Sequence, residues 1–145
     1  MSNKTFETLS PLNNKSSLAD TPTKDLKYFV KVKDSHGNEK KLADPNATRA
    51  LVALINQHAV IGGAAAHWGG PAAFAEIMSA VHGIMFEDHE KNWHEQYNFV
   101  NDAGHTENGV YALRANYGFD NTTFEDIKGF RSISSKFIGH GEAPL

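Results

Sequence analysis

The chain has 145 residues, a length that suits one domain. Its 14 Lys+Arg against 17 Asp+Glu give a formal charge of −3, which argues against a nucleic-acid platform and its usual basic excess. It contains no cysteine and no apolar run of ~18 residues, which excludes disulfides, thiolate metal sites and cysteine nucleophiles and gives no reason to expect a transmembrane helix. The start, Met1-Ser2-Asn3-Lys4-Thr5, does not read as a signal peptide, and the expected location is the cytoplasm. Eight histidines are the remaining unusual feature, and imidazole is the side chain that titrates nearest neutral pH.

Residues 1–25 are rich in Ser, Thr, Asn, Lys and Asp, with Pro11 and Pro22, and are expected to form a polar N-terminal arm on a surface or disordered. From residue 26 the pattern becomes that of a folded domain, taken as 26–145. Tyr28 to Lys33 alternates over its second half, Asp34-Ser35-His36-Gly37-Asn38 supplies turn chemistry, and Glu39 to Leu42 returns, which predicts a short β-hairpin. Asp44 as N-cap and Pro45 at the first position predict a helix carrying Leu51, Leu54, Ile55 and His58 on one face and stopping by Gly62-Gly63. After His67-Trp68-Gly69-Gly70, Pro71 is expected to open a second helix through Phe74, Ile77, Met78, Val81, Ile84 and Met85. Its apolar positions cover more than one face, so it should be largely buried.

Residues 87–97 are polar and aromatic and read as a connection or a short surface helix. Thr106 to Tyr117 reads as a helix with Gly118 as its C′ stop. Thr122-Thr123-Phe124-Glu125 fits a capping box, with Thr122 starting a short helix through Ile127 to Phe130.

Three histidines sit in glycine-rich irregular backbone. His67 precedes Gly69-Gly70, His105 follows Gly104, and His140 lies between Gly139 and Gly141. Glycines let a ligand approach the backbone, and loops carry function more often than buried faces do. Ordinary exposed turns look the same, so this pattern alone leaves both readings open. No G-x-G-x-x-G, G-x-x-x-x-G-K-[ST] or G-x-S-x-G occurs. His89 and His94 are five apart, off the common face that H-E-x-x-H requires, so a metal site with His82 is the weakest option. His82 on the apolar helix reads as a hydrogen-bonded core or boundary residue. Trp93, Tyr97 and Phe99 most simply pack a core edge.

In order and spacing, the three turns resemble the N-terminal, thiamine diphosphate-binding domain of the transketolase family, its first part only. The family's Gly-His-Pro-Gly turn is similar to Ala66-His67-Trp68-Gly69-Gly70-Pro71, and its Ser-Asn-Gly-His turn to Asn101-Asp102-Ala103-Gly104-His105. Its Glu-x-Leu-x-x-Phe-Arg helix and Gly-Ser-Lys-x-x-Gly-His-Pro-Glu segment resemble Glu125 to Arg131 and Ser134 to Glu142. Departures are Trp68 and Gly141 in place of prolines, and Asp102-Ala103 in place of Ser-Asn. The family's Gly-Pro-Leu-Gly loop and its metal-binding Gly-Asp-Gly…Asn motif have no counterpart in the sequence.

The resemblance implies an α/β thiamine diphosphate fold, mostly helical in this portion, with the polar arm and the short hairpin. It implies transfer of a two-carbon ketol unit between sugar phosphates, as in pentose phosphate metabolism. The cofactors would be thiamine diphosphate and a divalent metal (Mg or Ca) whose ligands lie outside this chain. His67, His105 and His140 would be the catalytic residues lining the substrate channel, with His67 and His105 also approaching the cofactor. No metal ligand is assigned. The chain is expected to end inside its domain and to act as a subunit or fragment, active when assembled as an oligomer with the remaining transketolase polypeptide. Neither nucleic acid nor membrane is an expected partner. The alternative from another class is a non-catalytic sugar-phosphate-binding or regulatory module derived from that fold.

Overall fold

A computed structural model describes residues 26–87, 97 and 99–139. The expected arm, most of the 87–97 connection with His89, Trp93 and His94, and His140 lie outside the described residues. Within them the chain is mostly helical with one two-stranded antiparallel sheet, consistent with part of an α/β domain.

The hairpin forms as the alternation predicts. β1 (Phe29–Lys33) pairs with β2 (Glu39–Ala43), Phe29 opposite Ala43 and Lys33 opposite Glu39. Asp34 builds the turn: its carboxylate accepts the backbone N–H groups of His36 and Asn38, each at 2.9 Å, and Gly37 takes a φ of 85°. The bond from the Asn38 backbone, chiefly, holds the Asp34 carboxyl below its ordinary pKa.

An isolated two-stranded hairpin is marginal in water, and this one is docked by a side chain acting as a strand edge. Asn116, 1 % exposed, accepts the Tyr28 N–H at 2.8 Å through Oδ1 and donates to the Tyr28 carbonyl at 2.7 Å through Nδ2. Asn116→Leu removes both bonds and is expected to cost about 1–3 kcal/mol. Amide exchange in β1 should rise well before exchange in the helix that follows. Unchanged exchange across β1 would show that the hairpin is held by other contacts.

α1 (Pro45–Ile61) starts as its sequence dictates: Asp44 accepts the Asn46 N–H at 2.9 Å and Pro45 occupies the first turn. It buries Thr48, Leu51, Val52, Ile55 and Ala59, whereas Leu54 is half-buried and His58 exposed.

The next helix departs from expectation twice. It begins at Gly69, not Pro71, and is broken at Phe74 into α2 (Gly69–Ala73) and α3 (Ala75–Met85). At the break the Ala72 carbonyl, which a continuous helix would bond to Glu76, instead accepts Arg49 Nε at 3.0 Å. The same guanidinium grips the Glu76 carboxylate, lowering its pKa. Nor is α3 largely buried. Only Ala75, Ser79, His82 and Met85 are covered, while Ile77 and Ile84 are 57 % and 59 % exposed, because the described residues pack against one side of it.

The central helix is instead α4 (Glu107–Tyr117), preceded by a 3₁₀ turn (Gly104–Thr106) and closed by Gly118 in the left-handed region at φ 63°. All its residues except Arg114 are buried. One side packs Tyr111, Ala112 and Ala115 against α1, together with Ile127, Phe130 and Phe137. The other packs Leu113 and Tyr117 against Ala43, Met85, Phe86 and Phe119. Small residues make this possible: a Cβ on Gly109 would lie 3.0 Å from Pro71 Cβ, so α2 and α4 meet where glycine stands.

α5 (Phe124–Ile127) has the expected capping box one residue later than the sequence places it. Thr123 accepts the Asp126 N–H at 3.2 Å, and Asp126 accepts the Thr123 N–H at 2.7 Å. Thr122 is unavailable because it is buried, closing the preceding 3₁₀ turn (Phe119–Asn121). The helix ends at Ile127, short of Phe130. Among the described residues no helix is long and apolar enough to cross a membrane.

Candidate functional site

Two of the three glycine-flanked histidines come together. The His67 and His105 rings lie with centroids 5.4 Å apart and planes at 63°, an edge-to-face contact, and both side chains are exposed. His67 belongs to the irregular segment between α1 and α2, and His105 to the 3₁₀ turn before α4.

Each turn is held by side chains behind it. The His67 carbonyl accepts Asn56 Nδ2 at 2.7 Å and Asn108 Nδ2 at 2.8 Å. Thr106 donates its hydroxyl to the Ala103 carbonyl at 2.7 Å, with Asn101 Oδ1 at 3.0 Å, and Asn101 Nδ2 reaches Glu107 at 2.5 Å. Gly70 lets the two turns approach, since a Cβ there would lie 2.8 Å from Thr106 Cγ2 and 3.1 Å from the His105 ring. The glycine thus belongs to α2, where it relieves a contact with His105.

Under the His105 turn lie two titratable groups shifted by burial, Glu107 and Arg114, that sequence reasoning did not single out. Burial raises the pKa of Glu107, against the opposing pull of the Asn101 bond and of Arg114. Burial likewise lowers the pKa of Arg114, whose guanidinium stacks 4.9 Å from the Phe119 centroid. Glu107 and Asn108, polar residues in the first turn of α4, are the sequence signal that pointed to this support.

His140 lies outside the described residues, but its approach is described as far as residue 139. Arg131, itself at a φ of 65°, donates from Nη1 to the Ala65 carbonyl and from Nη2 to the Gly139 carbonyl at 3.4 Å. Tyr111 donates its hydroxyl to the Ile138 carbonyl at 3.3 Å. Residue 139 is therefore tied to the segment that leads into His67. A Cβ on Gly139 would lie 2.7 Å from Arg131 Nε, so a side chain there would have to displace the Arg131 guanidinium.

His82 is not part of this cluster. It is fully buried on α3, with Nδ1 2.9 Å from the Met78 carbonyl and its ring against Phe86 and Phe99 at 5.4 and 5.1 Å. Burial drives its pKa down to about 3, with Arg114 adding to the effect. This matches the core histidine expected from sequence. Phe99 packs at the same core edge, whereas Tyr97 is 39 % exposed. Among the described residues no three His, Asp or Glu side chains gather as a metal site would require.

Over residues 41–144 the chain matches the family described as "Transketolase, thiamine diphosphate binding domain". The class is thus that of thiamine diphosphate-binding domains. A transketolase of Aquifex aeolicus is 34 % identical over 124 residues, covering 83 % of this chain and 17 % of that protein. A transketolase of Dictyostelium discoideum is 35 % identical over 97 residues, covering 66 % and 14 %. "Transketolase 1" of Escherichia coli is 33 % identical over 107 residues, covering 72 % and 15 %. The chain belongs to the transketolase family, and it spans 14–17 % of the length of these relatives. No solved structure matches.

Proposed function

We propose that this chain contributes the substrate- and cofactor-facing histidines of a two-carbon ketol transferase acting on sugar phosphates, with thiamine diphosphate as cofactor. The observation that carries the reading is the convergence of His67 and His105 on glycine-relieved turns in a member of this family. Thiamine diphosphate, when bound, supplies the carbon nucleophile and electron sink that two-carbon transfer needs.

The fit to the described residues is one-sided. Two exposed imidazoles suit a ligand rich in hydroxyl groups. The described residues offer no carboxylate set for a divalent ion, and in this reading its ligands come from the rest of the enzyme. In this reading His67 and His105 act on sugar hydroxyl and carbonyl oxygens, each imidazole accepting or donating one proton at a ring nitrogen. Their edge-to-face contact places the two imidazoles side by side before substrate arrives. His140 joins them as the third, supported by the Arg131 bonds that tie residue 139 to the Ala65 carbonyl.

The partner in this reading is the rest of a transketolase polypeptide. Its support is the exposed apolar side of α3, where Phe74, Ile77, Val81, Ile84 and Val100 line an open groove of about 540 Å³. The test is calorimetric titration of the chain, alone and with its co-purifying polypeptide, using thiamine diphosphate and Mg²⁺, followed by a ketol-transfer assay. Cofactor binding with transfer in the assembly is the expected result. Sugar-phosphate binding that is indifferent to the cofactor would replace this reading with that of a non-catalytic module.

A further inference from the structure

We infer that Asn108 and Asn56 are positioning residues: together they form an amide clamp that fixes the His67 carbonyl and thereby sets the His67 imidazole against His105. The inference rests on the ketol-transfer reading only for its catalytic consequence.

The clamp follows from hydrogen-bond accounting. His67 lies in irregular backbone outside the helical and strand ladders, and a carbonyl covered by protein needs a donor. Two amides supply it. Asn108, 1 % exposed, uses both protons of Nδ2, one on the His67 carbonyl and one on Asn56 Oδ1, each at 2.8 Å. Asn56 Nδ2 completes the triangle at 2.7 Å. With Asn108 accepting the Gly109 N–H at 3.0 Å, every donor and acceptor of the two amides but one Asn56 proton is engaged.

The placement of Asn108 makes this more than a satisfied carbonyl. It stands on α4 in the turn that continues directly from the 3₁₀ turn carrying His105. A single rigid stretch therefore holds His105 covalently and His67 by a 2.8 Å bond. Asn56 anchors the same point to α1, so the loop carrying His67 is pinned between two helices that share the main core. Gly70 closes the other side by allowing α2 to touch the His105 ring. The 5.4 Å ring separation is the product of these restraints.

The test uses the full chain and two variants, Asn108→Leu and Asn56→Ala. The first removes the buried donor at similar volume. The second acts at a half-buried position of α1 and leaves the core untouched, so it remains informative where Asn108→Leu does not fold. In wild-type protein, NMR should show a cross-peak between the ring protons of His67 and His105. That cross-peak is expected to fall several-fold in each folded variant. In the assembled enzyme kcat should drop by about 10- to 100-fold, the scale for misplacing a reacting group by an ångström, with a much smaller change in KM. An undiminished cross-peak in folded Asn56→Ala, or an equal rise in KM with kcat intact, overturns the clamp. Loss of the cross-peak in the variants, in an assembly whose wild type transfers no ketol unit, upholds the clamp and removes the function instead.

Discussion

Acidification is expected to unfold this protein largely through one residue. His82 titrates near pH 3 in the folded state, against 6.5 for a free histidine. The unfolded chain therefore takes up the proton first as pH falls. The stability His82 contributes is complete above pH 6.5 and is lost between there and pH 3, at about 1.4 kcal/mol per pH unit. The total is on the order of 4–5 kcal/mol, a large part of the margin of a small domain. The cause is geometric. Nδ1 already faces the Met78 carbonyl, Nε2 has no acceptor among the described residues, and the ring is enclosed by Phe86 and Phe99 with the Arg114 guanidinium nearby.

Glu107 works in the opposite direction. Its raised pKa means the fold prefers the protonated acid, so the stability it contributes is present at low pH and lost as pH rises through its folded pKa. The comparison that isolates His82 is urea unfolding of wild type and His82→Phe at several pH values between 7 and 4. The aromatic replacement keeps the ring between Phe86 and Phe99. The variant should lose most of the steep acid dependence while Glu107 and the exposed carboxylates keep theirs. Parallel curves for the two proteins would mean that folding does not shift the titration of His82.

The parts of this fold that were legible in the sequence are those decided by neighbours in the chain. Asp44-Pro45 caps α1, Asp34 and Gly37 turn the hairpin, and Gly118 stops α4, each through bonds spanning a few residues. Local chemistry also placed a capping box near residue 122, but burial of Thr122 moved it to Thr123, and burial is not a local property. The same limit explains why α3 and α4 exchanged roles. The more apolar helix has an open face, and the helix carrying Glu107, Asn108, Arg114 and Asn116 is the central one.

The candidate site divides in the same way. That His67 and His105 deserved notice was visible in glycine spacing and in the family resemblance. That their rings meet depends on Asn108, which reaches Asn56 52 residues away and the His67 carbonyl 41 residues away. Period and propensity carry no information about contacts at that range. The break after α2 was hidden for a related reason: Arg49 takes the Ala72 carbonyl from outside the helix.

The largest functional effect is expected from His105. In the assembled enzyme, His105→Ala should lower turnover by at least ~10²-fold, the low end for a lost general acid or base. The loss should come without a loss of fold, because the side chain is exposed and its turn is held from behind by Thr106 and Asn101, not by the imidazole. Exposed substitutions of this kind typically move stability by no more than ~0.5 kcal/mol. A matching fall in melting temperature would therefore reassign His105 to support. His67→Ala should act on the same step, since the two rings touch, and the double variant should lose far less than the product of the single losses. Independent, multiplicative losses would mean that the two imidazoles serve separate oxygens and that their contact has no catalytic consequence. Unchanged turnover in His105→Ala would remove the histidine from the reaction altogether.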